Sequence, residues 1–383
     1  MGPLEGVRVL EIAGVGPAPF GAMLLADMGA EVLRVERPAD RATDTVPEDV
    51  LNRGKRSLAT DLKKPEAAET VLRLATRADV LIEGFRPGVA ERLGIGPEEC
   101  LRRNPRLVYA RMTGWGQDGP LAHLAGHDIN YLALAGVLGH LGRKDTPPAP
   151  PLNLVGDFGG GGMLLAFGVV CALFERARSS RGQVIDAAML DGTALLSTHL
   201  HGMRAAGMWH DERESNLIDG GAPFYDTYET ADGKFISLGA VEPKFYSGLI
   251  ASLGLTDLPG RDPRHWPVIR KRLADLIRSR TRDEWSAELS HRDICLTPVL
   301  DCAEAPTHPH NIARGTFTEH AGVVQPTPAP RFSRTPGSIS GVPPAPGRDT
   351  DAALRDWGFE QSEVDSLRAV GAVAGPQRTG QHK

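Results

Sequence analysis

The feature that most constrains this chain is the alternation at its amino end. Residues 7–12, Val-Arg-Val-Leu-Glu-Ile, read as a buried strand, residues 20–28 as a helix closed by Gly29, and residues 31–35 as a second strand. The rhythm continues with strands near 56–62, 80–85 and 107–112 and a helix at 65–75. Strands separated by helices pair through crossovers rather than hairpins, which makes a parallel sheet covered on both faces. The expected fold class is α/β, with a large Rossmann-like domain over residues 1–220.

After Gly220-Gly221 the pattern changes. Residues 224–230 and 234–240 are strand-like and flank Ala231-Asp232-Gly233, a hairpin turn, and helices are expected at 243–253, 266–279 and 282–289. A smaller mixed α/β domain is therefore expected over 221–324. Residues 325–347 are rich in proline, serine and glycine and read as an extended surface connection. A helix at 351–367 follows, so 325–370 is expected to return and dock on the large domain, leaving a disordered tail at 371–383. The run Pro147-Pro148-Ala149-Pro150-Pro151 reads as a rigid extended loop within the large domain, because apolar helical sequence resumes at 162–176 and 191–206.

Bulk properties narrow the function classes. A net charge of -5 over 383 residues gives no general attraction for nucleic acid or an anionic membrane, so any phosphate site is local. The four cysteines, Cys100, Cys171, Cys295 and Cys302, lack CxxC spacing, which fits a reducing compartment. The chain enters its first strand without a signal-peptide pattern, and its last three residues are not a peroxisomal signal. The longest apolar stretch, near 163–174, is broken by Gly168 and falls short of the roughly twenty residues of a membrane span. A cytoplasmic protein without membrane or nucleic-acid partners is expected.

Gly14-Val15-Gly16-Pro17-Ala18-Pro19-Phe20-Gly21 lies between a strand and a helix, where a dinucleotide fingerprint would sit. Pro19 stands where that fingerprint needs glycine, so the segment reads as a tight turn with Pro19 near the first helical turn, and no nicotinamide cofactor is expected. His127 directly precedes an apolar helix that runs to about Leu138. The helix dipole lowers the proton affinity of such a histidine and suits it to act as a base; equally, Asp128 or Asn130 could cap the helix and His127 be an ordinary hydrogen-bonding residue. Asp157 precedes four consecutive glycines, 159–162, and a helix. Free amides there can stabilise its carboxylate and hold an oxyanion while the glycines let a ligand approach, or Asp157 is simply an N-cap. Glu242, at the start of a helix, has the same ambiguity. Arg37, Arg53, Lys55, Arg56, Lys63, Lys64, Arg86 and Arg92 lie near strand ends, where they either form a solvated rim or converge on phosphates. The pairs His199/His201 and His308/His310 lack the ligand spacing of a metal site, and no metal is expected.

Taken together, the segments resemble the alpha-methylacyl-CoA racemases, within the fold family of the family III CoA transferases. The likeness runs from about Leu4 to Leu367 and is carried by Val7-Arg8-Val9-Leu10-Glu11, Gly16-Pro17-Ala18-Pro19-Phe20, Leu25-Ala26-Asp27-Met28-Gly29-Ala30, Arg34-Val35-Glu36-Arg37-Pro38 and Arg53-Gly54-Lys55-Arg56-Ser57. More discriminating are Gly126-His127-Asp128-Ile129-Asn130-Tyr131, residues 153–162, and Asp219-Gly220-Gly221-Ala222-Pro223-Phe224-Tyr225. The resemblance implies that His127 and Asp157 are the acid/base residues and that Glu242 orients His127. It places Arg37, Thr60, Asp61, Leu62, Lys63, Arg92, Gly126, Asp128, Ile129, Asn130 and Tyr131 against an acyl-CoA. It further implies an interlocked homodimer, a 2-methyl-branched acyl-CoA substrate whose coenzyme A is not a separate cofactor, and a place in fatty acid and lipid metabolism. The alternative reading is a family III CoA transferase in which Asp157 is a nucleophile. A non-catalytic acyl-CoA-binding protein is disfavoured by retention of the whole acid/base set.

Overall fold

The computed structural model describes residues 2–38 and 45–375. Its strands in chain order are β1 (Arg8–Ile12), β2 (Glu31–Glu36), β3 (Lys55–Thr60), β4 (Val80–Glu83), β5 (Val108–Thr113), β6 (Val184–Ala188), β7 (Tyr225–Glu229), β8 (Phe235–Gly239), β9 (Leu296–Pro298), β10 (Phe317–His320), β11 (Val323–Pro326) and β12 (Val373–Ala374). The chain divides into two compact units, one formed by residues 1–135, 152–196 and 312–383 and the other by 136–151 and 197–311.

The first unit is built on a seven-stranded sheet of order β12-β3-β2-β1-β4-β5-β6. Strands β1 to β6 pair in parallel, and β12 closes the edge antiparallel to β3. The two-residue period sorts the side chains into two cores. Val9, Val32, Val80 and Val108 pack on one face with Ala22 and Leu25 of helix Pro17–Asp27 and Leu165 and Val169 of helix Leu164–Ser179. Leu10, Leu33, Leu81 and Tyr109 pack on the other with Val71 and Leu74 of helix Pro65–Ala75 and with Trp357. The expected doubly covered parallel sheet is what forms.

Three expectations need correction here. The helix expected over 351–367 is two, Thr350–Asp356 and Gln361–Ala369, because Gly358 takes a φ of +89° between them. The tail begins later than 371: Val373 and Ala374 pair with Thr60 and Ala59, and residues 376–383 lie outside the described residues. The apolar stretch near 163–174 belongs to a longer helix, since a π-helical segment, Leu154–Met163, runs directly into Leu164–Ser179. By length and composition alone, Leu154–Ser179 could cross a membrane.

The second unit carries the expected hairpin, β7 and β8 paired antiparallel, with β9 added beside β8. Ile236, Leu238, Leu249, Leu273 and Trp285 form its core with the helices Pro243–Ser252, Trp266–Ile277 and Arg282–Leu289. Its boundaries differ from those expected at 220 and 324, and arginine contacts explain why. Arg143 donates to Asp226 and Glu214, Arg213 to the carbonyls of Gly139, Arg143 and Thr146, and Arg270 to Asp226 and to the carbonyls of Gly220 and Gly221. These contacts tie 136–151 and 197–221 to the hairpin, so the proline run marks where the chain leaves this unit.

Candidate active site

The order 3-2-1-4-5-6 of the parallel strands reverses direction between β1 and β4, and ligands of such sheets bind outside the carboxyl ends at that switch point. A cleft of about 650 Å³ lies there. Its walls are the loop after β1 (Ala13 to Ala18), the loop after β4 (Gly84 to Pro87), Met112 to Trp115 at the end of β5, Ala125 to His127, Tyr131, Asn153, Asp157 and Met189. Another groove, of about 640 Å³, lies between helices Pro65–Ala75 and Gln361–Ala369, but it gathers no histidine. The sheet-edge cleft alone of the two collects His127 and Asp157.

His127 caps the helix Asp128–Leu134, held by its backbone N–H donating to Asn130 Oδ1 at 3.0 Å. Its side chain is exposed at the cleft wall. Asp157 is not an N-cap; it lies within the wide turns of the π-helix, which is where such irregular turns commonly serve function. Burial pushes the Asp157 carboxyl above its ordinary value, opposed by a 3.3 Å hydrogen bond from Asn153 Nδ2 and by His127, and reinforced by Asp128. A carboxyl poised this way can hold as well as release a proton. Gly16, at φ +69°, stands beside it: an added Cβ would lie 3.5 Å from Asp157 Oδ2.

The glycine run has a packing role. A Cβ on Gly160 would lie 2.7 Å from Thr193 N, on Gly161 2.9 Å from Met189 Cγ, and on Gly162 2.5 Å from Pro17 O. These glycines let the π-helix seat tightly on helices Pro17–Asp27 and Met189–Leu196. The expected amide donors also need revision, since the Asp157 N–H is already given to Asp128 Oδ1 at 2.7 Å. The helix begins at Pro17, earlier than the expected residue 20, which leaves Pro19 in its first turn as the tight-turn reading expected.

The remaining expected residues fall into two groups. Gly126 and Tyr131 line the cleft, Tyr131 stacked edge-on against Trp115 and its hydroxyl pushed up to about 12 by burial and by Asp157 and Asp128. Asp128 is buried behind them, Asn130 holds His127, and Ile129 is exposed. Arg37, Thr60, Asp61, Leu62, Lys63 and Arg92 do not line the cleft, although Arg37 and Asp61 directly follow the carboxyl ends of β2 and β3. Thr60 donates its hydroxyl to the Ala372 carbonyl, Asp61 caps a turn through the Lys63 N–H, and Leu62 packs on the core, while Arg37, Lys63 and Arg92 are exposed. Glu242 is an exposed residue of the second unit, at the start of helix Pro243–Ser252.

The basic rim does not converge. Arg53 is buried against Asp27, Lys55 against Glu11, Arg56 pairs with Glu31 and Asp356, and Lys64 donates to the carbonyls of Val370 and Gly371. Of the group, Arg86 reaches the cleft. Sequence reasoning missed Trp115, whose only signal is its place just past a buried strand, and the bond from Asn153. Among the described residues no three His, Cys, Asp or Glu gather as metal ligands.

This fold recurs in known proteins. The profile of CoA-transferase family III matches residues 4–350, and the chain belongs to that family. A CAIB/BAIF family protein from Brucella suis has the same fold, with a TM-score of 0.79 and 26% identity over 93% of this chain and 99% of that one. Within the family the chain falls with the alpha-methylacyl-CoA racemases. Those of Mus musculus and Homo sapiens are 49% and 48% identical to it, each over 96% of both chains.

Proposed function

We propose that this chain is an isomerase that interconverts the (2R) and (2S) forms of 2-methyl-branched acyl-CoA thioesters by moving the C2 proton between His127 and Asp157. The observation that carries the reading is the meeting of these two side chains in one cleft, with the Asp157 carboxyl raised by burial. The thioester carbonyl acidifies the C2 hydrogen, yet its removal still demands a positioned base and support for the enolate oxygen. Inversion demands two groups on opposite faces, one taking a proton while the other returns one. The test is incubation of each enantiomer in deuterated water: racemisation with deuterium at C2 is expected, and absence of C2 exchange would sink the reading.

The family also supports a second reading, in which Asp157 attacks the thioester carbonyl and carries the acyl group. Hydroxylamine added with acyl-CoA would trap that covalent acyl group; no adduct on Asp157 is expected.

Coenzyme A is read as held by Arg37, just past β2, and Arg92, at the end of helix Val89–Arg92, both exposed. Phosphate contacts far from C2 act on ground and transition states alike, so Arg37→Ala and Arg92→Ala should raise KM more than they lower kcat. An unchanged KM in both variants would remove them from the site.

The chain is further read as a homodimer. Met163, Phe167 and Phe174, 51%, 65% and 68% exposed, follow one stripe of the helix Leu154–Ser179 with Val170, while its other face, at Leu165 and Val169, is in the sheet core. Phe167→Glu with Phe174→Glu should shift the mass in solution from dimer to monomer. A wild-type monomer would overturn the assignment.

A further inference from the structure

Asp128 stands apart from its neighbours. It is the first residue of the helix Asp128–Leu134, yet it is 7% exposed whereas His127, Ile129 and Asn130 are open. Its Oδ1 accepts the Asp157 N–H at 2.7 Å across a separation of 29 residues, and its Oδ2 is buried without a hydrogen-bond partner among the described residues. An unsatisfied buried carboxylate oxygen is costly, so the position is poorly explained by stability alone. The backbone before Asp157 is pressed against the same carboxylate, for a Cβ on Gly156 would lie 2.5 Å from Asp128 Oδ1.

Asp128 is thus joined covalently to one member of the acid/base pair and by a hydrogen bond to the backbone of the other. We propose that Asp128 is a positioning residue that fixes the separation of His127 and Asp157; this rests on reading those two as the acid/base pair. A carbon acid held between two groups tolerates little error, since displacement of about 1 Å costs on the order of 10²-fold. The carboxylate acts a second time through its charge. The titratable groups around Asp157 are His127, Asp128 and Tyr131 on one helix and Arg86 after β4, while helices Pro17–Asp27 and Met189–Leu196 give the cleft only Pro17, Ala18 and Met189. Among these groups Asp128 is the carboxylate whose negative charge helps Asp157 keep its proton.

Two variants separate the bond from the charge. Asp128→Ala removes both and is expected to lower kcat about 10²-fold in each direction with little change in KM. Asp128→Asn keeps an acceptor for the Asp157 N–H and is expected to recover most of that loss. Because it removes the negative charge, the limb of the pH profile that Asp157 governs should move to lower pH in the Asn variant. Unchanged turnover in Asp128→Ala, a loss confined to KM, or an Asn variant as impaired as the Ala variant would each overturn the proposal. If Asp128→Ala fails to fold, an Asn variant with the wild-type pH profile overturns it and a displaced limb supports it. Wild-type protein with no C2 exchange would remove the racemase reading and this proposal with it, whereas exchange by the wild type with full activity in Asp128→Ala removes the proposal alone.

Discussion

His127→Ala and Asp157→Ala are each expected to lose racemisation by about 10²- to 10⁴-fold, the usual contribution of a positioned acid or base. They should differ in what survives. A pair of bases presents a different group to each enantiomer, so His127→Ala in deuterated water keeps C2 exchange with the enantiomer whose proton faces Asp157, and Asp157→Ala keeps it with the other. The surviving exchange is slow, because one group must both remove the proton and return a solvent-exchanged one to the same face. The enantiomer preference is the readout rather than the rate. Reciprocal preference in folded variants establishes the two-base assignment. Equal exchange of both enantiomers in either variant points to one shared base, and the assignment then falls.

The large sheet was legible because its strands are continuous apolar runs, buried on both sides, in segments such as Val9-Leu10 and Val80-Leu81-Ile82. β6 escaped detection for the converse reason. Val184 is exposed at the sheet edge, so Val184-Ile185-Asp186-Ala187-Ala188 carries no buried run. The unit boundaries were illegible because Arg143, Arg213 and Arg270 act across tens of residues, and no local pattern announces which carboxylate or carbonyl an arginine will meet.

The site was legible through motifs, and its detail was not. Resemblance picked out His127 and Asp157, and the fold brings both to the switch point. Local reading placed Asp157 at a helix start because 159–162 are glycines, poor helix formers. Their missing side chains instead admit Pro17, Met189 and Thr193 against the π-helix, a tertiary gain that outweighs propensity. The basic residues failed as phosphate candidates in the same way: sequence shows a charge near a strand end but not whether a buried carboxylate already holds it.

Arg53 is the sharpest case, and Arg53→Ala is expected to destabilise the first unit by about 3–5 kcal/mol at pH 7, the cost of leaving a buried charge without its partner. Arg53 and Asp27 are 4% and 2% exposed, joined by two hydrogen bonds of 3.1 and 2.6 Å, and Arg53 also donates to Gln325 Oε1 and the Pro326 carbonyl. A lysine cannot reproduce that fork, so Arg53→Lys should recover little. Burial already pushes the Asp27 carboxyl above its ordinary value, held back chiefly by Arg53; without the arginine it rises further. A folded-state value above the unfolded one gives stability that is present at low pH and lost as pH rises through the folded value. The deficit of Arg53→Ala should therefore shrink as pH falls from 7 toward 5, measured by urea unfolding at each pH. Asp27→Leu combined with Arg53→Met removes both charges and should recover much of the loss, since an apolar pair of similar volume can replace a buried ion pair. A loss below about 1 kcal/mol for Arg53→Ala, or a deficit that grows on acidification, would show that the pair does not bear on stability as its burial implies.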